Sequence, residues 1–158
     1  MRIRQYLNVM RIIFFLLLQV STVCFLHAQN QAVNHSLQKE ISTVIDKYSE
    51  AREKRDTFLL KTILTADVDQ LVSNGEWRNG MASSVEGMLR SSASSTGTRS
   101  LVIDKIKIIN STASIVDCKY NIKNADGSDR KMWSSFILVL EKGNWKITAI
   151  RNMLPSTQ

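Results

Sequence analysis

From Ser36 onward apolar residues recur at helical spacing. Leu37, Ile41, Val44, Ile45 and Tyr48 follow the i, i+4, i+7, i+8, i+11 rhythm that lines one face of an amphipathic helix. Glu50, Arg52, Glu53, Lys54 and Arg55 read as its charged, solvated last turn. Asp56 is placed to cap a second, shorter helix whose buried stripe is Leu59, Leu60, Ile63 and Leu64. The period breaks in ADVDQLVSNGEW, which predicts a short strand over 69–73 and a tight turn at Asn74-Gly75. A strand stub near Trp77 is expected to pair back on it. A third helix is expected after Gly80, with Met81, Val85, Met88 and Leu89 on one face and Ser83 with Glu86 as a capping box.

The tract SSASSTGTRS, residues 91–100, is rich in serine and threonine and reads as a loop. Beyond it the period falls to two. Four strands are expected, separated by turns at Asn110-Ser111, Asp126-Gly127 and Gly143-Asn144. In ASIVDCKYNI, Val116, Cys118, Tyr120 and Ile122 point one way and Asp117, Lys119 and Asn121 the other, a strand with one wet face. In LVIDKIKII the apolar parity switches between Ile103 and Ile106, which predicts a bulge near Asp104-Lys105. FILVL, 136–140, is apolar on both parities and belongs in the middle of the sheet, covered on both sides. On the last strand Trp145, Ile147, Ala149 and Arg151 share one parity, and Pro155 ends it. Three helices followed by four meandering strands define an α+β fold: a mainly antiparallel sheet with its helices on one face.

The first residues change the count. Arg2, Arg4 and Arg11 precede an apolar run from Ile12 that weakens toward Leu26, the pattern of a signal peptide over 1–28 with cleavage after Ala28 in FLHAQ. The run is shorter than the roughly 20 residues a spanning helix needs, and Gln19, Ser21 and Thr22 interrupt it. An uncleaved amino-terminal anchor is the alternative. Cleavage leaves 29–158 as one domain, exported to a periplasm or the medium, with no stable membrane span. It removes three of 21 basic residues and no acid, leaving 18 against 14, a net charge of +4. The basic residues are scattered, which argues against nucleic acid as a partner. Cys118 is the only cysteine beyond the leader, so no internal disulfide can form. One cysteine and one histidine, His35, make no metal-ligand set, and no phosphate-cradling glycine loop or nucleophile elbow is present. Neither a metal nor another cofactor is expected.

The stretches YSEAREKRDTFLLKTILTADVDQLVSNGEW, NGMASSVEGM and GNWKITAIRNM resemble the SnoaL-like group of the nuclear transport factor 2-like and ketosteroid-isomerase-like superfamily. Together they cover most of the chain beyond the leader. The resemblance implies a cystatin-like cone: a curved sheet wrapped around the N-terminal helix, with a pocket at the wide end.

Within that expectation Arg151 is a candidate cation at the pocket rim, able to hold a carboxylate or phosphate bidentately; the alternative is a strand-end arginine with its head in water. Trp77 and Trp133 are candidates to line a flat apolar ligand, or to pack in the core. Tyr48 and Tyr120 offer phenols to an oxyanion, or are core residues with satisfied hydroxyls. The isomerase-type base falls near Val72 or Ser73, and neither accepts a proton efficiently. Asp67, Asp69 and Glu76 remain as nearby carboxylates, with Asp67, Glu76 and Tyr120 the weak catalytic candidates; the alternative for Asp67 is the end of the helix or the turn rather than a buried base. The leading expectation is therefore an exported, non-catalytic domain binding a small apolar or weakly anionic molecule. An isomerase, cyclase or dehydratase acting on a small apolar substrate is the second, and a homodimeric interaction domain using a polar sheet face the third.

Overall fold

A computed structural model describes residues 33–93, 98–123 and 127–155. The chain divides into two units, Met1–Leu37 and Gln38–Gln158. The leader and Cys24 lie outside the described residues; of the first unit, residues 33–37 are described, and they are helical with His35 exposed.

The second unit opens with helix α1, residues 38–54, whose Ile41, Val44, Ile45, Tyr48 and Ala51 are buried as the spacing predicts. It ends in a Schellman-type turn: Arg55 adopts φ 54° and the Asp56 amide donates back to the Ala51 carbonyl at 2.8 Å. Asp56 then caps α2, Thr57–Ile63, its carboxylate accepting from the Leu59 amide at 2.9 Å. Leu64 does not continue α2. It begins strand β1, Leu64–Leu71, five residues earlier than the pattern predicts. The four-residue spacing of Leu60, Leu64 and Val68 mimics a helix. Between Leu64 and Asp69 the pairing with the neighbouring strand is irregular, so ordinary alternation is lost there.

The turn after β1 holds Asn74 and Gly75, with Gly75 at φ 90°, and β2, Trp77–Asn79, pairs antiparallel with β1 as expected. Helix α3 spans Gly80–Ala93 and buries Val85 and Met88. The helix starts at Gly80, so Ser83 lies inside it rather than at the cap, and the buried Ser84 hydroxyl donates to the Arg78 carbonyl at 3.3 Å. The serine-rich tract is divided: residues 91–93 belong to α3, residues 98–100 to β3, and 94–97 lie outside the described residues.

Strands β3, Thr98–Asn110, β4, Ala113–Lys123, β5, Asp129–Glu141, and β6, Asn144–Met153, form the meander. The β3–β4 register shifts between Ile103 and Lys105, where parity predicts the bulge. The predicted Asp126-Gly127 turn falls partly on residues that are not described. The β5–β6 turn is Lys142-Gly143, one residue earlier than expected, with both at positive φ as a two-residue hairpin demands. The six-stranded sheet has the order β2-β1-β6-β5-β4-β3, antiparallel throughout except for the parallel β1–β6 pair, and it is curved and unclosed. Its inner face carries Val68, Val116, Cys118, Met132, Phe136, Leu138, Ile147 and Ile150, all buried; the Tyr48 ring of α1 meets Phe136 edge-on at 5.0 Å. FILVL lies in the central β5, but only Phe136 and Leu138 are buried. Ile137, Val139 and Leu140 are half-buried, so cover is complete on one side only.

Candidate functional site

The last strand decides which side chains face inward. The β5–β6 register runs Leu138 to Ile147 and then Ile137 to Ala149, so Thr148 is an extra residue in β6. Trp145 and Ile147 point inward before it; Ile150 points inward after it, opposite Phe136, and Asn152 pairs with Ser134. Arg151 is therefore turned to the opposite face from Trp145, contrary to the simple alternation. There it pairs with Asp69 at 2.5 Å, and its guanidinium lies 4.9 Å above the Trp77 ring. Its place on the inner face is taken by Asn152, whose side-chain oxygen accepts from Ser134 at 2.8 Å.

Asn152 lines a cavity of about 280 Å³ with residues from five strands and two helices. Arg52 enters from α1 and Ser91 from α3; Gln70 and Arg78 come from β1 and β2. Arg99, Tyr120 and Ile122, and Arg130 and Met132 come from β3, β4 and β5. Val72 and Ser73, where a base is expected in the isomerase-like proteins, line it too. Four guanidinium groups thus face one cavity, and no carboxylate is among the described residues that line it.

Arg52 is buried, with 7% of its surface exposed, much as Arg78 is with 6%. It donates from Nη1 to the Tyr48 hydroxyl at 2.8 Å, from Nη2 to Ser91 Oγ at 2.9 Å and from Nε to Ser92 Oγ at 3.1 Å. All three acceptors are neutral. Burial works against its charge, but the Tyr48 and Tyr120 oxygens outweigh that and hold the group above its ordinary value. Arg99 donates to the Ser91 carbonyl at 2.7 Å, while its buried Nε has no partner among the described residues. Arg130 reaches Ser73 Oγ at 2.5 Å. Of these four only Arg78 has a carboxylate partner among the described residues: its Nε donates to Glu76 at 3.0 Å and its Nη1 to Gln70 at 3.2 Å. Burial pushes the Tyr120 phenol up, against the pull of Arg52, so it stays protonated and able to donate.

Gly87 shows how firmly Arg78 is placed. A methyl group built on this mid-helix glycine would collide with Nε, Cδ and Cζ of Arg78. Glycine inside a helix costs about 1 kcal/mol relative to alanine, yet overpacking a buried site costs about 1–3 kcal/mol. Gly87→Ala is accordingly expected to lower the melting temperature, where an unobstructed helical glycine would give a rise; thermal melts by circular dichroism check the sign.

The other sequence candidates scatter. Tyr48 is buried and touches the cavity only through Arg52. Trp77, 52% exposed, and Trp133, with Lys119 Nζ 5.4 Å from its ring, lie on the outer face. Asp67 is exposed on β1, and Glu76 is exposed and engaged with Arg78. Only Tyr120 lines the cavity directly.

No protein-family model matches the chain, and no curated protein matches its sequence. Solved structures do. An NTF-2 like protein of unknown function from Shewanella oneidensis superimposes with a TM-score of 0.63 at 18% identity, over 73% of this chain and 98% of its own. A domain of unknown function with a cystatin-like fold from Nostoc punctiforme gives 0.67 at 11% identity, over 76% and 78%. An NTF2-like protein of unknown function from Pseudomonas putida gives 0.67 at 12%, over 78% and 90%. The chain has an NTF2-like fold.

Within this NTF2-like frame the described residues contain no cluster of three metal-ligating side chains, and no described helix is long and apolar enough to cross a membrane. Cys118 sits on the inner face with no surface exposed, and burial pushes its thiol up to about 12. The thiolate is the reactive form, so at pH 8 iodoacetamide is expected to leave Cys118 of the native protein unmodified and to label it promptly in denaturant. Mass spectrometry of the Cys118 peptide distinguishes the two; its labelling in native protein at the denatured rate would contradict the burial.

Proposed function

We propose that the chain is an exported, non-catalytic domain that binds a small anion in the inner cavity of its NTF2-like fold. The carrying observation is Arg52: a buried guanidinium whose three protein partners are neutral oxygens, facing a cavity that three more arginines line. An ionised group taken out of water without a counter-ion is strongly penalised, and an anionic ligand supplies that counter-ion. The anionic half of the expectation is the one favoured, because four guanidinium groups line the cavity beside the apolar Val72, Ile122 and Met132. The non-catalytic reading draws on Asp67, Asp69 and Glu76, none of which lines the cavity. Tyr120 alone would have to carry an isomerase or dehydratase. Export draws on the leader-like residues 1–28, and N-terminal sequencing of the protein recovered from outside the cytoplasm tests it.

Titration of the purified protein with phosphate, carboxylates and sulfonates, beside neutral steroids and fatty alcohols, tests the binding. Anions at 100 times their Kd are expected to stabilise it by about 2.7 kcal/mol. A shift produced by the neutral compounds alone would end the proposal.

A homodimer is a second reading, favoured by one observation: Trp77, Met153 and Leu154 are about half exposed on or beside the outer face. Sedimentation equilibrium tests it, and a monomer at high concentration rejects it.

A further inference from the structure

Resting on the anion-binding reading and narrowing it, we infer that the ligand is a small dicarboxylate whose two anionic groups are read about one helical turn apart along α3. Gly87 and Ser91 are four residues apart, so they lie on one face of the helix, about 6 Å from each other along its axis. Each is a station for guanidinium groups. The Arg78 side chain lies against the Gly87 backbone, in space a methyl group would take. Arg52 and Arg99 converge on Ser91, one donating to its hydroxyl and the other to its carbonyl.

The Ser91 station has no carboxylate among the described residues. At the Gly87 station Arg78 has one, Glu76, but that bond occupies Nε and leaves Nη2 and an Nη1 hydrogen to donate. Arg130, bonded to Ser73 in the turn before β2, adds a further cation to the same cavity. Val72, Ile122 and Met132 supply apolar surface suited to methylene groups. The cavity of about 280 Å³ equals roughly nine waters at about 30 Å³ each, room for a short dicarboxylate chain. A monoanion would engage one station only, and a neutral ligand would leave Arg52 and Arg99 without a counter-charge among the described residues.

The experiment is calorimetric titration of the full chain at pH 7 with malonate, succinate, glutarate, adipate and suberate, against butyrate and pentanoate. Affinity is expected to peak at glutarate or adipate, at least about tenfold above the matched monocarboxylates. Arg99→Met, at a half-buried position, is expected to bring the dicarboxylates down to the monocarboxylate level, and Arg78→Met to do the same from the other station. Equal affinity for one and two carboxylates, or no dependence on chain length, overturns the inference and leaves the anion reading standing. So does binding of phosphate or a sulfonate without any dicarboxylate. Failure of every anion overturns both.

Discussion

Replacing Arg52 with methionine is expected to weaken anion binding at least about 30-fold while leaving the domain folded. Removing one partner of a buried, hydrogen-bonded charge pair costs about 2–5 kcal/mol of affinity, which is roughly 30-fold to several thousand-fold at about 1.4 kcal/mol per decade. The unliganded protein should barely notice. Methionine relieves the desolvation penalty of several kcal/mol that a buried, unpaired ion carries. Against that stand three lost hydrogen bonds from a charged donor, to Tyr48, Ser91 and Ser92, worth about 1.5–3 kcal/mol each. The two sums nearly cancel, so the melting temperature should move by a few degrees at most. Arg52→Lys keeps the charge and loses the three-way fork, and is expected to fall between. Calorimetric titration and differential scanning calorimetry measure the two quantities separately. Unchanged affinity in the methionine variant would remove Arg52, and with it the cavity, from the account of function.

The helices and the meander are legible in the sequence because their periods are clean: α1 buries the stripe its spacing marks, and the Ile103–Ile106 parity switch falls on the observed bulge. Two places are not legible, for one reason. In β1 and in β6 extra residues interrupt the alternation, at Leu64–Asp69 and at Thr148. A period-two reading carried across such a point puts every later side chain on the wrong face. This is how Arg151 is expected inward and found outward, and why Asn152 is overlooked. Arg52 had a signal that its charged neighbours hide. It stands four residues past Tyr48 on the apolar stripe, so the helix that buries Tyr48 also carries Arg52 inward. Gly87 carried another, since a glycine in mid-helix marks a close approach. Arg99 and Arg130 flank Ile122 in one row across β3, β4 and β5. That row joins residues far apart in the chain, so only the register brings it together.

Phe136→Ala is expected to cost about 3–5 kcal/mol of stability. The side chain is 1% exposed at the centre of the sheet, paired across the strands with Val116 on β4 and Ile150 on β6. Its ring receives the Tyr48 ring of α1 edge-on, so truncation opens a cavity where helix meets sheet. Domains of this size are held by about 5–15 kcal/mol, and the melting temperature should fall by more than about 10 °C. Phe58→Ala is the matched control: that ring is 77% exposed, and its loss should stay within about 0.5 kcal/mol. The consequence for the site separates packing from chemistry. Tyr48 rests on Phe136 and accepts from Arg52, so a loosened Tyr48 also loosens the guanidinium one bond away. Phe136→Ala should therefore weaken anion binding even at temperatures where the variant remains fully folded. If it melts like Phe58→Ala, then α1 is not seated on the sheet through this pair, and the path by which the core positions Arg52 is wrong.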